Sequence, residues 1–167
     1  MLLLAFGSQP AFAKGRPAAD KNPKDYKFDL DGDKKIEVIH IEKASGQDGK
    51  TRIDITRKGS AEAYGFTVPG AFNKLEVIDL NEDGYRQLAV YSTGKDDQAH
   101  LAVYSFKDNK LSKVFAATSN CGIETDFRSV LGRIKVGRQR IVESGHSSTD
   151  IPEWDTWVWS GERFIRE

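Results

Sequence analysis

The sequence lacks several features that would indicate a particular class of protein. Its 167 residues include one cysteine, Cys121, so no disulfide can form within the chain, and we interpret this thiol as buried or idle. Lys plus Arg and Asp plus Glu each number 25, which gives no net charge. No basic stripe interleaved with aromatic residues suggests nucleic acid binding. We therefore exclude a disulfide-rich scaffold and a nucleic-acid-binding protein.

Motifs for catalysis are also missing from the sequence. It contains no Gly-x-Ser-x-Gly nucleophile segment and no glycine-rich loop that would cradle a phosphate. The three histidines, His40, His100 and His146, have no spacing typical of a metal site or a catalytic triad. We therefore predict no catalytic residues and interpret the protein as a non-enzyme.

The N-terminal residues have the composition of a targeting segment. Residues 2–13 are uncharged and largely apolar, and they end in Ala11-Phe12-Ala13, the small-x-small pattern that precedes signal-peptidase cleavage. This run is too short to span a bilayer as a helix. We predict a signal peptide over residues 1–13, a flexible leader over 14–25, a periplasmic or secreted location and no transmembrane anchor.

From Tyr26 onward the pattern is typical of β-structure. Ile53 and Ile55 alternate with Asp54, and helical periodicity is not sustained anywhere. Further strands are predicted over Leu75–Leu80, Gln87–Ser92, Ala99–Phe106 and Leu111–Phe115. The fold class is therefore predicted to be all-β and antiparallel.

The chain also resembles itself at a period of about 50 residues, with about four strands in each unit. The predicted units span about 26–70, 75–120 and 123–167, in a single domain. Such repeats are typical of a partial or small β-propeller-like array. Closure by association, a barrel and a sandwich are the alternatives.

Two acidic loops carry most of the functional information. The first acidic loop (29–37) and the second acidic loop (79–87) each place an oxygen-bearing side chain at positions 1, 3, 5 and 9. This spacing lets a short segment wrap Ca²⁺, a hard cation that takes six to eight oxygen ligands. Mg²⁺ suits it less well, because Mg²⁺ dehydrates reluctantly and requires octahedral geometry. Acidic turns without any metal are the simpler alternative, since Asp, Asn and Gly favour turns on their own.

These two segments resemble the calcium loops of FG-GAP/VCBS-type repeats, which occur in integrin α-chain propellers and in exported bacterial proteins. The resemblance covers about ten residues in each loop and the strands that follow. It implies Ca²⁺ as the cofactor and implies side-chain ligands at positions 1, 3, 5 and 9, with backbone carbonyls at position 7. The implied ligands are Asp29, Asp31, Asp33, Lys35 and Glu37 in the first loop, and Asp79, Asn81, Asp83, Tyr85 and Gln87 in the second.

Each loop departs from the family pattern at one position. Position 6 normally requires a positive φ, which Gly84 adopts freely, whereas Lys34 would be strained by ~1–2 kcal/mol. Position 9 prefers a carboxylate, which Glu37 supplies and Gln87 does not. Four potential anionic ligands in the first loop against two in the second lead us to predict tighter Ca²⁺ binding in the first loop.

The C-terminal third contains the candidate ligand-binding residues. Residues 145–155 are predicted to form a long polar loop, which makes His146, Glu153 and Trp154 candidates for ligand binding. Trp157 and Trp159 share a strand face, and we expect them to pack in the core.

The leading functional hypothesis is an exported Ca²⁺-binding recognition module for a protein or a cell-envelope glycan. One alternative, implied by the resemblance, is a periplasmic inhibitor of a peptidoglycan hydrolase that uses residues 145–155 as a plug. The other alternative is an accessory domain of a secreted hydrolase.

Overall fold

The computed structural model describes residues 24–42, 49–57, 60, 62–128, 132–144 and 147–167, and the side chains of residues 140–152 are not described. The predicted signal peptide and most of the predicted leader lie outside these residues. The first strand begins at Lys24, so residues 24 and 25, which we predicted as leader, belong to a sheet. None of the helices in these ranges is long and apolar enough to cross a membrane.

The described residues form twelve strands in three four-stranded antiparallel sheets. The first sheet contains β1 (Lys24–Phe28), β2 (Glu37–Glu42), β3 (Lys50–Arg57) and β4 (Ala63–Pro69), in that order. The middle sheet contains β5 (Ala71–Ile78), β6 (Gln87–Thr93), β7 (Ala99–Lys107) and β8 (Lys110–Ser119). The third sheet contains β9 (Ile123–Asp126), β10 (Arg133–Ser144), β11 (Ser147–Trp159) and β12 (Phe164–Arg166). The all-β, antiparallel prediction is confirmed, and a 3₁₀ turn over Lys95–Asp97 is the one helical segment in the described ranges.

Alternation along each strand decides which face is buried. In β3, Ile53 and Ile55 are fully buried, whereas Asp54 between them points away from the core. Side chains in a strand point to opposite faces in turn, so this pattern aims one face of the first sheet at the middle sheet. Strand β6 differs, because Leu88, Ala89 and Val90 are all buried. The middle sheet is therefore covered on both faces.

Two separate hydrophobic cores hold the three sheets together. The core between the first and middle sheets contains Leu30, Ile39, Ile41, Ile53, Ile55, Val68, Leu88, Val90, Ala102, Tyr104 and Phe106. The core between the middle and third sheets contains Leu80, Ala89, Leu101, Val103, Phe115, Ile134, Val136, Trp159 and Phe164. The sheets are stacked in chain order and do not close into a barrel, which removes the barrel alternative.

The outer faces of the first and third sheets carry charged side chains, and the outer face of the third sheet also carries the exposed Trp154 and Ile165. On the first sheet, His40 lies between Asp25 and Asp54 in the cross-strand register, and its Nδ1 is 2.7 Å from an Asp25 oxygen. On the third sheet, Lys135 lies between Glu124 and Thr156. These side chains occupy positions that are hydrophobic in the middle sheet, so each outer face is solvated.

The predicted long loop over residues 145–155 is wrong. Residues 147–159 form strand β11, which pairs with β10 from Arg133↔Val158 to Ser144↔Ser147. Within the predicted loop, residues 145 and 146 lie outside the described residues. Because β9 has 4 residues and β12 has 3, the distal part of the hairpin extends beyond its neighbouring strands.

Candidate metal centre

Both acidic loops occupy the same place in their sheets, between the first and second strands, and they touch each other. The backbone N–H of Arg86, in the second loop, donates to the carbonyl of Leu30, in the first, over 2.8 Å. A Cβ added to Gly32 would lie 3.1 Å from the carbonyl oxygen of Gly84. Leu30 and Leu80, at position 2 of the two loops, each fill one of the two inter-sheet cores. The loops are thus fixed to the cores on which they sit.

The two loops turn at the same positions. Position 4 has a φ of 76° in Gly32 and 55° in Glu82, and position 6 has a φ of 66° in Lys34 and 85° in Gly84. This left-handed region is unfavourable for residues with a Cβ. The positive φ predicted at position 6 is confirmed, and Lys34 carries the backbone strain that Gly84 avoids.

The position 1 aspartate of each loop accepts hydrogen bonds from backbone N–H groups later in the loop. In the first loop, the carboxylate of Asp29 accepts the N–H groups of Gly32 at 2.8 Å and Lys34 at 3.0 Å. In the second loop, the carboxylate of Asp79 accepts those of Asp83 at 3.2 Å and Gly84 at 2.9 Å. The backbone of each loop thus curls about the carboxylate at its first position.

The position 5 aspartate of each loop accepts a hydrogen bond from the backbone N–H of position 7. Asp33 accepts the N–H of Lys35 at 2.8 Å, and Asp83 accepts that of Tyr85 at 3.0 Å. The hydrogen bond from the Lys35 N–H lowers the pKa of Asp33, assisted by the Lys35 ammonium and by Arg57 and opposed by partial desolvation. Asp33 is therefore held in its charged form.

The position 9 side chain of each loop bonds back to the backbone at the start of the loop. Glu37 and Gln87 are both buried, and each accepts the backbone N–H of its position 2 leucine, Leu30 at 2.8 Å and Leu80 at 3.0 Å. The amide of Gln87 also donates to the carbonyl of Tyr85 at 3.2 Å. The two side chains therefore have the same orientation, although one is charged and the other neutral.

The first loop gathers oxygen donors that suit a hard cation. Asp29, Asp31 and Glu37 each offer a carboxylate oxygen within 4.8 Å of the other two. Asp33 and the carbonyl of Lys35 are the remaining predicted donors in that loop. Carboxylate and carbonyl oxygens are the ligands that Ca²⁺ prefers, so the donor set fits this ion. An acidic turn would also collect such oxygens, so the cluster alone does not identify a bound metal.

Arg57, the last residue of β3, contacts the first loop and was missed by sequence reasoning. Its guanidinium donates to Glu37 Oε1 at 2.8 Å and to Asp31, and it lies 3.4 Å from Asp33. The Glu37 side chain is 1% exposed and that of Arg57 is 17% exposed, so this ion pair is largely buried. The bonds to Glu37 and Asp31 raise the pKa of Arg57 further above its usual value. Opposite charges at 37 and 57 could have indicated the pair only once the β2–β3 register was known.

The second loop is tied instead to the third sheet. The amide of Asn81 accepts the indole N–H of Trp159 and donates to the carbonyl of Gly161 at 3.0 Å. The Lys107 ammonium lies 4.7 Å from the centre of the Tyr85 ring. Asn81 therefore has a docking role that its predicted role as a metal ligand did not include.

The predicted ligand-binding residues of the C-terminal third lie on a strand. Trp154 is 42% exposed and pairs with Gly137 on the outer face of the third sheet. Glu153 is half-buried in β11, and His146 lies outside the described residues. Trp159 is buried and Trp157 packs against Phe115, so the prediction that both belong to the core is confirmed.

Comparison of the chain with known proteins finds no matching family model, no matching curated protein and no matching solved structure. The likeness to FG-GAP/VCBS repeats therefore stays a prediction, and it rests on the two loops and the strands that follow them.

Proposed function

We propose that this protein is an exported, non-catalytic recognition module built from FG-GAP-like repeats and stabilised by Ca²⁺. The observation that carries the proposal is the common geometry of the two loops. In both loops the position 1 aspartate accepts the backbone N–H of position 6, and the position 9 side chain accepts the backbone N–H of position 2. Two separately encoded loops with one such geometry are better explained by one shared ligand than by two unrelated turns.

Ca²⁺ would act here on stability rather than on chemistry. Its ligands would be the predicted oxygens of each loop, and it would neutralise carboxylates that otherwise repel one another. The unfolded chain does not gather these oxygens, so Ca²⁺ would stabilise the folded state by mass action. In an extracytoplasmic setting Ca²⁺ is abundant, so a dissociation constant as weak as ~10⁻⁴–10⁻³ M would suffice.

The propeller-like description belongs to the same proposal. Each sheet would be one blade, made from consecutive strands of one repeat and packed face to face on the next. The charged side chains on both outer faces favour an array that ends at both sides over one that closes into a ring, because terminal repeats need solvated outer faces.

Calorimetric titration of the mature chain with CaCl₂ tests the proposal. We expect one or two sites with dissociation constants of ~10⁻⁵–10⁻³ M, and weaker binding of Mg²⁺. The isosteric variants Asp29→Asn and Asp79→Asn remove the position 1 charge of each loop, and together they should abolish the binding heat. Asp96→Asn, in the exposed 3₁₀ turn, is the matched control and should bind as the parent does. Absence of binding to the parent chain would contradict the proposal.

The projecting β10–β11 hairpin favours a second candidate function, inhibition of a peptidoglycan hydrolase. A hairpin that extends beyond its sheet can reach into a cleft of a partner enzyme. The test is the rate at which a muramidase clears purified peptidoglycan, measured with the whole protein and with a variant that lacks residues 141–150. Inhibition that requires the hairpin would support this function, and no inhibition by the whole protein would exclude that enzyme as its target.

A further inference from the structure

The two acidic loops differ most at a residue that lies outside both of them. In the cross-strand register, Glu37 pairs with Arg57 and its counterpart Gln87 pairs with Ser105. The first repeat thus has a buried negative charge and a positive charge directly opposite each other, and the second repeat has two neutral side chains at the same places. The charge at position 9 and the charge of its strand partner are present together or absent together.

The guanidinium of Arg57 spreads over three of the four acidic side chains in the first loop. It meets Glu37 through Nε, Asp31 through one terminal nitrogen and Asp33 through the other. A planar fork with several donors fits such a set of oxygens, which a lysine ammonium would contact only as a point charge.

Every carboxylate oxygen of the first loop already has a donor. Asp29 accepts two backbone N–H groups, and Asp31, Asp33 and Glu37 each accept one. The second oxygen of each of the last three faces Arg57. The first loop is therefore satisfied by the chain itself, and no oxygen depends on an added cation for a partner.

We propose that Arg57 is the built-in counter-cation of the first acidic loop and that Ca²⁺ binding there competes with its guanidinium. This inference rests on the proposed function, since it concerns the affinity of the same loop for the same ion. Arg57 lowers the charge of the four acidic side chains from −4 to −3 and repels an incoming Ca²⁺ at short range. The first loop consequently binds Ca²⁺ less tightly than its four acidic residues imply, and it keeps its shape without the ion.

The double variant Glu37→Gln/Arg57→Ser tests this by giving the first repeat the neutral pair of the second. It removes both members of a buried ion pair, so it leaves no uncompensated buried charge. The measurement is calorimetric titration with CaCl₂ in an Asp79→Asn background, which restricts the binding to the first loop. Circular dichroism verifies the fold, and if the variant unfolds without metal, Ca²⁺-induced refolding gives the same comparison.

The expected result is Ca²⁺ binding on the order of tenfold tighter than in the background, although the variant has lost one acidic ligand. Glu37→Gln alone, which keeps Arg57, should bind more weakly than the background. Arg57→Lys, which keeps the charge, should bind within about threefold of it. Equal or weaker binding by the double variant would overturn the inference and leave the proposed function intact. Absence of Ca²⁺ binding in the parent chain and in all variants would overturn both.

Discussion

At the scale of single residues, position 6 gives the two loops different backbone energies for the same conformation. Lys34 and Gly84 both have a positive φ, and a Cβ added to Gly84 would meet no atom within 4 Å. A side chain at residue 84 would therefore be strained without clashing. Placing glycine at residue 34 and lysine at residue 84 therefore isolates the contribution of the backbone conformation to the free energy of unfolding.

We predict that Lys34→Gly stabilises the protein by about 0.5–1 kcal/mol, because the relief of left-handed strain exceeds the added entropy of the unfolded chain. Gly84→Lys should destabilise it by about 1–2 kcal/mol. Urea unfolding measures both. Loss of stability in Lys34→Gly would show that the lysine side chain has a favourable role that outweighs its strain.

A second residue-scale prediction concerns His100. Its ring packs against Gly94 and its Nδ1 is 2.7 Å from the hydroxyl of Thr118, and burial lowers its pKa below the usual 6.5. The unfolded state then binds protons more readily, so stability falls as the pH drops from 6.5 through the lower pKa of the folded state. His100→Gln should flatten the stability profile over that interval.

The control is Thr118→Val, which removes the hydroxyl but keeps the titrating ring. We expect it to lower stability at all pH values while the slope below pH 6.5 persists. Urea unfolding at a series of pH values gives both curves, and an unchanged slope in His100→Gln would assign the pH dependence to other groups.

At the scale of elements, Tyr91 joins the middle sheet to the third sheet. Its hydroxyl donates to Glu76 at 2.7 Å and lies 2.8 Å from the hydroxyl of Thr125 in β9. Burial raises the pKa of Tyr91. For Glu76, burial is outweighed by hydrogen bonds from Lys74 and Tyr91, so its pKa falls. Tyr91 is therefore held as a neutral phenol beside the charged carboxylate of Glu76.

We expect Tyr91→Phe to cost about 1–3 kcal/mol, because it removes one donor from the carboxylate of Glu76 and leaves the hydroxyl of Thr125 without its acceptor. Tyr104→Phe is the matched control, since Tyr104 is buried in the other core and its hydroxyl bonds to no described residue. Chemical denaturation compares the two. Equal effects would show that the bonds to Glu76 and Thr125 contribute nothing beyond the loss of a hydroxyl.

The strands could be predicted wherever the pattern is local. Alternation of Ile53, Asp54 and Ile55 indicated β3 and its buried face, and the resemblance of the loops indicated the positive φ at position 6. Residues 147–155 failed this reasoning, because their polar, turn-forming side chains favour a loop when read alone. Pairing with β10 provides the backbone hydrogen bonds that make them a strand, and such pairing is not visible in the local sequence.

Contacts between residues far apart in the sequence were beyond sequence reasoning for the same cause. Arg57 is 20 residues from Glu37, and Asn81 is 78 residues from Trp159. Each contact depends on a register or on a stacking of sheets that the residues at one end cannot reveal. The site was thus predicted as two sets of local ligands, whereas the structure adds one partner from a neighbouring strand and one from another sheet.

At the scale of the whole molecule, the two loops lie where neighbouring sheets meet. The first loop touches the second through Arg86, and the second touches the third sheet through Asn81. Leu30 and Leu80, at position 2 of the loops, pack into the two cores and so connect each loop to the core beside it. A cation held in either loop would therefore stabilise the packing of sheets on one another as well as the loop.

Thermal unfolding in a chelator and in ~10 mM CaCl₂ tests the central claim most directly. If Ca²⁺ binds with a dissociation constant near 10⁻⁴ M, we predict a rise in Tm of roughly 5–10 °C, since saturation at ~100 times this constant contributes ~2.7 kcal/mol. The Asp29→Asn/Asp79→Asn variant should show no such rise. Identical melting of the parent chain with and without Ca²⁺ would contradict the account.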